Sequence, residues 1–417
     1  MSGRLALAIG VALAAVLVGV AVGVLPPPPP TPSPSSAASA SSPALSSATT
    51  ATPAASATAT IPGSALRFGL VTQDALGFPS GLRLESDPSP FGRIQGRSAS
   101  VSPDGRRIAY WHVPPASDDT AGELRTLDLV SGVESATLLA SAPERAGGIA
   151  WRTDGSALVV ATASMSLAFG GIDPPPAYSR VRTIDLASKQ VHELARLDAS
   201  RFFPVAWSAD TKIVVGVDSG EGGTHGIFRI REDGTRIAGG PIDVGYQRFD
   251  ATRDGRTLLG LAYRGEGNRV YSTAQLIAAD SPIGIGAREV VDDLAREVVD
   301  DRYIVDARFL PTNEIAVLLR AGTPQRYGLE VWPAGLAGQG RGIWTSPNAA
   351  PYANGDLFVR VDGRAVYLRG AEANAGPSPW LRIDLDTGNA TELPAAAEPL
   401  SGLSFYVSDT AIAKLRP

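Results

Sequence analysis

Apolar and polar positions alternate with a period of two in short runs, and each run is broken by a cluster of turn-forming residues. "SVSPDGRRIAYW" (100–111) shows the unit: a short apolar run, Pro-Asp-Gly, then a second apolar run. Such a pattern predicts two antiparallel strands joined by a tight turn, with Gly105 free to take a positive φ and Asp104 able to bond the turn backbone. The unit returns as "IAWRTDGSALVVA" (149–161), "VAWSADTKIVVGV" (205–217) and "FDATRDGRTLLGL" (249–261). Weaker copies follow at "ARFLPTNEIAVLL" (307–319), "LFVRVDGRAVYLR" (357–369) and "SFYVSDTAIAKL" (404–415). The third and fifth copies lack the turn glycine; Asn313 tolerates the left-handed region, whereas Thr211 does so poorly.

Anchored on Asp104, Asp154, Asp210, Asp254, Thr312, Asp362 and Asp409, the copies are spaced 50, 56, 44, 58, 50 and 47 residues apart. A period near 40–50 residues with four short strands per unit predicts a β-propeller. The second half of a unit is a further hairpin, as in "ELRTLDLVSGVESATLLA", "SRVRTIDLASKQVHELARL" and "WLRIDLDTGNATELP". "LRFGLVTQDALGFPSGLRLES" (66–86) and "LSGLSFYVSDTAIAKL" (400–415) each read as one hairpin. Together they predict a closing blade with two strands from each end of the chain. The expected fold is all-β, a seven-bladed propeller over 66–417, with six blades as the alternative. Three residues before six of the seven anchors, Val101, Trp151, Trp207, Phe309, Val359 and Tyr406 are expected to fill the wedge between neighbouring sheets.

"SVSPDGRRIAYW … LRTLDLVSG" resembles the repeat of TolB-like β-propellers and is similar to the propellers of prolyl-oligopeptidase-type proteins. The resemblance covers about 100–415. It implies an extracytoplasmic propeller that binds a partner, and because the repeat is structural it supplies no catalytic residue. No α/β domain of the kind that precedes the propeller in TolB is read here, and no Gly-x-Ser-x-Gly nucleophile elbow is present.

The first 65 residues differ in kind. "LALAIGVALAAVLVGVAVGVL" (5–25) is apolar throughout and long enough to cross a hydrocarbon core of roughly 30 Å as a helix. A retained signal-anchor over 1–25 is expected in preference to a cleaved signal peptide, whose apolar region is shorter. Arg4 is the only charged side chain before Arg67, which predicts a cytoplasmic N-terminus and an extracytoplasmic propeller, secreted if the helix is cleaved. Residues 26–65 are rich in Pro, Ser, Ala and Thr without charge, and predict a disordered stalk.

The net charge of −5 includes Arg4, so the rest of the chain carries about −6 with no basic run, which argues against nucleic acid. Arginine outnumbers lysine 34 to 3, which reads as coding bias. The absence of cysteine excludes disulfides and thiolate chemistry. His112, His192 and His225 do not have metal-ligand spacing, and "GEGGTHG" (220–226) reads as a loop. "AREVVDDLAREVVDDR" (287–302) is an octad written twice. Its Asp292, Asp293, Asp300 and Asp301 raise a Ca²⁺ reading, but a small duplication in a connection accounts for it better. No metal or cofactor is expected.

Two sets of site residues are predicted. Blade two carries the longest loop, "ASMSLAFGGIDPPPAYS" (163–179), whose Met165, Leu167, Phe169 and Tyr178 are apolar enough for recognition or for packing on a neighbouring blade. Asp250 and Asp306 lie near the channel-side strands, where carboxylates would serve a lyase or glycan hydrolase or else bond neighbouring turns and arginines such as Arg248 and Arg308. The function expected first is a non-enzymatic module for a protein or cell-envelope ligand, on a monomeric propeller.

Overall fold

The computed structural model describes residues 65–74, 77–113, 122–140, 144–164, 176–198, 201–218, 227–237, 246–266, 269–278, 303–321, 326–336, 339–347, 357–369, 380–394 and 399–416. The apolar run 5–25, residues 26–64 of the expected stalk, the doubled octad and "GEGGTHG" lie outside them. Among the described residues no helix is long and apolar enough to cross a membrane.

Seven antiparallel sheets follow one another along the described chain. The first contains β1 (Arg67–Gln73), β2 (Pro79–Leu84) and β3 (Asp87–Arg93). Blade one is β4 (Gly96–Val101), β5 (Arg107–His112), β6 (Gly122–Asp128) and β7 (Val133–Ala140). Blade two is β8 (Glu144–Trp151), β9 (Ala157–Ser164), β10 (Tyr178–Asp185) and β11 (Val191–Asp198). Blade three shows β12 (Phe202–Ser208), β13 (Ile213–Asp218) and β14 (Ile227–Arg231); blade four shows β15 (Tyr246–Ala251), β16 (Thr257–Glu266) and β17 (Arg269–Ala278). Blade five is β18 (Tyr303–Phe309), β19 (Ile315–Ala321), β20 (Arg326–Trp332) and β21 (Arg341–Thr345). Blade six is β22 (Leu357–Val359), β23 (Ala365–Arg369), β24 (Trp380–Asp384) and β25 (Ala390–Glu392). The last strand, β26 (Leu400–Val407), returns to pair with β1.

The closing sheet therefore has the order β26-β1-β2-β3, one strand from the C-terminal end and three from the N-terminal end. This corrects the expected two-plus-two division. The segment after β26 is a helix, α1 (Asp409–Leu415), not a strand. Ser408 caps it by accepting from the Ala411 amide, Asp409 sits in its first turn and Lys414 in its last. Ala411 and Ile412 then bury against β3 and the rest of the closing sheet.

First strands meet in a circuit: β4 with β8, β8 with β12, β12 with β15, β15 with β18, β18 with β22, β22 with β26, and β26 with β4. The buried apolar side chains form one cluster at each of these junctions. Trp151 and Leu158 of blade two meet Ala109 and Trp111 of blade one, for example, while Tyr367 and Trp380 of blade six meet Leu70 and Leu400 of the closing sheet. Sheets buried on both faces in this way explain the near-continuous apolar strands such as "ALVVATAS". Polar links repeat alongside: Trp151 Nε1 donates to Ser100 O at 3.1 Å, and the Tyr406 amide donates to Gly105 O at 2.8 Å. Arginines stack on the aromatic residue of the adjoining sheet, Arg107 on Trp151 at 4.9 Å, Arg152 on Trp207 at 5.3 Å and Arg360 on Phe68 at 4.2 Å. These three arginines have a structural use that composition did not reveal.

The turn chemistry holds with one shift. Gly105, Gly155, Gly255 and Gly363 have positive φ, and Asn313 takes their place in blade five. In blade three the left-handed residue is Lys212, φ 57°, rather than Thr211. Its amide donates to Ser208 O across a turn one residue longer than the others. Lys212 is exposed, so its Cβ is penalised without compensation from packing. Lys212→Gly should therefore raise stability by about 0.5–1 kcal/mol, after allowing for the greater unfolded-state freedom of glycine. A chemical-denaturation midpoint that falls would contradict this turn geometry.

Candidate functional site

The two predicted carboxylates stand on the first strands of blades four and five, each turned to the sheet that follows. Asp250 Oδ2 accepts from the Phe309 amide at 2.7 Å and its Oδ1 from the Ala251 amide at 2.9 Å. Asp306, fully buried, accepts from the Leu357 amide at 3.0 Å and the Ala307 amide at 2.9 Å, with Arg308 at 3.5 Å. Burial pushes the Asp250 carboxyl above its ordinary value, outweighing the charge of Arg308 and the two amide hydrogen bonds. Both side chains act as inter-sheet clasps in this geometry.

Of the predicted loop residues, Met165, Leu167 and Phe169 lie outside the described residues. Tyr178 opens β10, half-buried, with the Arg196 guanidinium 4.1 Å and that of Arg180 5.4 Å from its ring centre. The residues that flank the loop, Ser164 and Pro176, line a cavity of about 370 Å³.

Four consecutive sheets build this cavity, on the side opposite the Asp-Gly turns. Phe78 comes from the connection between β1 and β2, Arg97 and Ser98 from β4, and Arg145 to Gly147 from β8. Arg201, Phe202 and Phe203 come from the start of blade three. The β9 stretch Ala161–Ser164 forms the floor, and Gly147 permits the close approach, since a Cβ there would lie 2.6 Å from Ala161 O. Ser98 Oγ donates to Gly147 O at 2.7 Å and ties the two blades together.

Three guanidinium side chains and no aspartate or glutamate occur among the described residues lining the cavity. Burial, and then repulsion from Arg145, hold Arg97 below its ordinary value. Behind the wall, buried Glu144 accepts from Thr162 Oγ1 at 2.8 Å and Arg182 Nη1 at 2.9 Å, and forms an ion pair with Arg180, whose Nε is 3.1 Å away. Burial would raise the Glu144 carboxyl, but the hydrogen bonds from Arg182 and Thr162 and the two arginine charges hold it below its ordinary value. Its charge is thus committed within blade two. No group of three or more histidine or acidic side chains suited to a metal occurs among the described residues.

Sequence reasoning missed the cavity because its arginines are about 50 residues apart and each is ordinary locally. A signal existed: Arg97, Arg145 and Arg201 all stand at the start of the first strand in consecutive repeats.

A ring of antiparallel sheets with its cavity at the strand ends is the architecture of a β-propeller, a class that presents binding sites on its loops. No family model matches the chain, and no curated protein matches it. Among solved structures it is similar to TolB from Acinetobacter baumannii, with a TM-score of 0.43 and 15% identity over 73% of this chain and 67% of that one. It is also similar to an acylaminoacyl peptidase in complex with a chloromethyl ketone, with a TM-score of 0.49 and 16% identity over 76% of this chain. The chain spans 47% of that peptidase's length. A third similar structure is an oligogalacturonate lyase in complex with manganese, with a TM-score of 0.36 and 13% identity over 74% of this chain and 66% of that one.

Proposed function

We propose that the chain is a seven-bladed β-propeller tethered outside a membrane by residues 5–25 and a stalk over 26–65. In this reading the propeller is a non-enzymatic module that binds a protein or other cell-envelope component through the face carrying the cavity. The observation that carries it is the cavity itself, a recess of about 370 Å³ shared by four sheets and rimmed by the ends of the blade-two loop. That volume lies within the usual range for ligand sites of roughly 300–1,000 Å³. Seven sheets with a buried cluster at each junction support seven blades over six.

The alternative, a lyase or glycan hydrolase using Asp250 and Asp306, is disfavoured by one specific feature. Both carboxylates already accept main-chain amides of the next strand, and a reacting group would have to displace those bonds. The tether is read from the uncharged apolar run and from Arg4 on its N-terminal side.

Membrane fractionation tests the tether and crosslinking tests the binding role. The full-length chain should stay in the pellet after high-salt and carbonate washes; a mature soluble form beginning near residue 24 would replace the anchor with a signal peptide. Crosslinking in intact cells should give a discrete adduct that the same chain with Arg145→Glu and Arg201→Glu does not form. An adduct equally abundant in that variant would place binding elsewhere.

A further inference from the structure

Arginine charges in this molecule are repeatedly set on aromatic rings. Arg107 lies on Trp151, Arg152 on Trp207, Arg236 on Phe228 and Arg360 on Phe68, each charge 4.2 to 5.8 Å from a ring centre. In the cavity wall Arg97 is held the same way, 5.8 Å above the ring of Phe78. Arg145, on β8, also lines the cavity, but it meets no ring, hydrogen-bond acceptor or acid among the described residues. A ring answers a guanidinium through the negative charge of its π face. That contact uses the flat face of the cation, so it is compatible with whatever the edges of the other cavity arginines bond.

The rest of the wall suits a ring. Val133, Val191 and Phe203 are the exposed large apolar side chains among the described residues, and of these Phe203 alone lines the cavity, 37% exposed. Its ring is also held in place: a Cβ on Gly148 would lie 3.2 Å from Phe203 Cδ1, so the ring rests against bare backbone of β8. Phe78, Pro176, Ala146 and Ala163 extend the apolar surface. A volume of about 370 Å³ is near the lower end of ligand sites and has room for one side chain rather than a folded segment.

We infer that the cavity receives one aromatic side chain of a protein partner, its ring packed on Phe203 and facing the Arg145 guanidinium. The inference rests on the reading of this face as the binding face, and names the group by which the partner is held. Aromatic anchors in desolvated pockets carry a large share of the binding energy at protein interfaces. A saturated side chain of the same shape would bury the same surface and leave Arg145 unanswered. Preference for the ring over its saturated counterpart is therefore the signature.

The test is saturation-transfer NMR on the full-length chain in a non-aromatic, non-ionic detergent. The probes are two neutral molecules of one shape, N-acetyl-phenylalaninamide and N-acetyl-cyclohexylalaninamide. The phenyl probe should bind with a dissociation constant of about 10 mM or below, about threefold or more tighter than the cyclohexyl probe. A purely apolar pocket would give the reverse order, because the saturated ring is the more hydrophobic. Arg145→Gln should remove the phenyl preference, with a melting temperature near that of the unaltered chain, and Arg145→Lys, which keeps a cation, should reduce it without abolishing it. Phe203→Ala, at an exposed side chain, should weaken both probes about threefold or more, and keeps the site testable should the Arg145 variants fold poorly. Equal or tighter binding of the cyclohexyl probe, a phenyl preference unchanged in Arg145→Gln, probe binding unchanged in Phe203→Ala, or no binding of either probe would overturn the inference. The partner adduct in intact cells is scored separately: an adduct without a phenyl preference removes this inference and leaves the binding role standing, whereas no adduct removes both.

Discussion

A chain ended at Glu398 should not fold to a cooperative domain. The truncation removes β26 and α1, and with them Leu400, Phe405, Val407, Ala411 and Ile412, all buried. Full burial of side chains of this size contributes about 1.5–3 kcal/mol each. Their sum is on the order of 10 kcal/mol, as large as the whole stability of a typical domain. The loss is also topological. β26 is the first strand of the closing sheet and touches both β4 and β22, so its removal opens the two junctions that close the circuit. It also leaves β1 with an unpaired edge. Ser404 Oγ, which accepts from the Val361 amide at 2.8 Å, and Ser408 Oγ, which donates to Val130 O at 2.5 Å, disappear with it. Thermal unfolding followed by circular dichroism should show a broad, low transition or none. A sharp transition within a few degrees of the full chain would mean that the ring closes through another element.

The second large effect is expected at Glu85, just beyond β2. Its carboxylate accepts from Tyr367 Oη at 2.7 Å and Arg382 Nη1 at 2.8 Å, with Arg360 3.8 Å away. These partners are about 280 residues further along, on blade six and the turn before β23, so the contact latches the N-terminal strands to the last complete blade. Burial, then the Glu85 charge and hydrogen bond, push the Tyr367 hydroxyl well above its ordinary value. Glu85→Ala would leave a buried hydroxyl without its acceptor and the Arg382 guanidinium without the carboxylate it bonds, while Arg360 keeps Asp362 at 2.8 Å. Breaking a buried pair from one side costs about 3–5 kcal/mol; the partial exposure of Arg382 places the expected loss near the lower end, about 3 kcal/mol. Glu85→Gln, which keeps an acceptor for Tyr367, should lose less. Denaturant unfolding of the two variants checks the order; an Ala variant no weaker than the Gln variant would show that the acceptor offered to Tyr367 carries little.

The repeat was legible in the sequence because its determinants are local. An Asp at the turn, a residue able to take positive φ one or two positions later, and alternation on either side are set within a dozen residues. The aromatic and apolar residues before the turns were legible for the same reason, and Trp151, Trp207 and Phe309 lie buried between sheets. The closing sheet was misjudged where local signals conflict with the expected periodic plan. "DTAIAKL" carries a serine cap, an acidic first turn and Ala411, Ile412 and Leu415 at helical spacing, yet its position in the repeat suggested a strand. The third N-terminal strand, Asp87–Arg93, contains Pro88 and Pro90, which argue against an interior strand. It is an edge strand, where prolines are tolerated. The cavity was illegible for a different reason: its charge arises only when three distant strand starts are brought to one place.

Photo-crosslinking from the two faces tests the central claim, that the propeller binds through the face opposite its Asp-Gly turns. A photoreactive residue placed at Phe203, at the cavity rim, is compared in intact cells with one at Arg256, beside the blade-four turn. A discrete partner adduct is expected from position 203 and none from 256. An adduct from position 256 with none from 203 would contradict it.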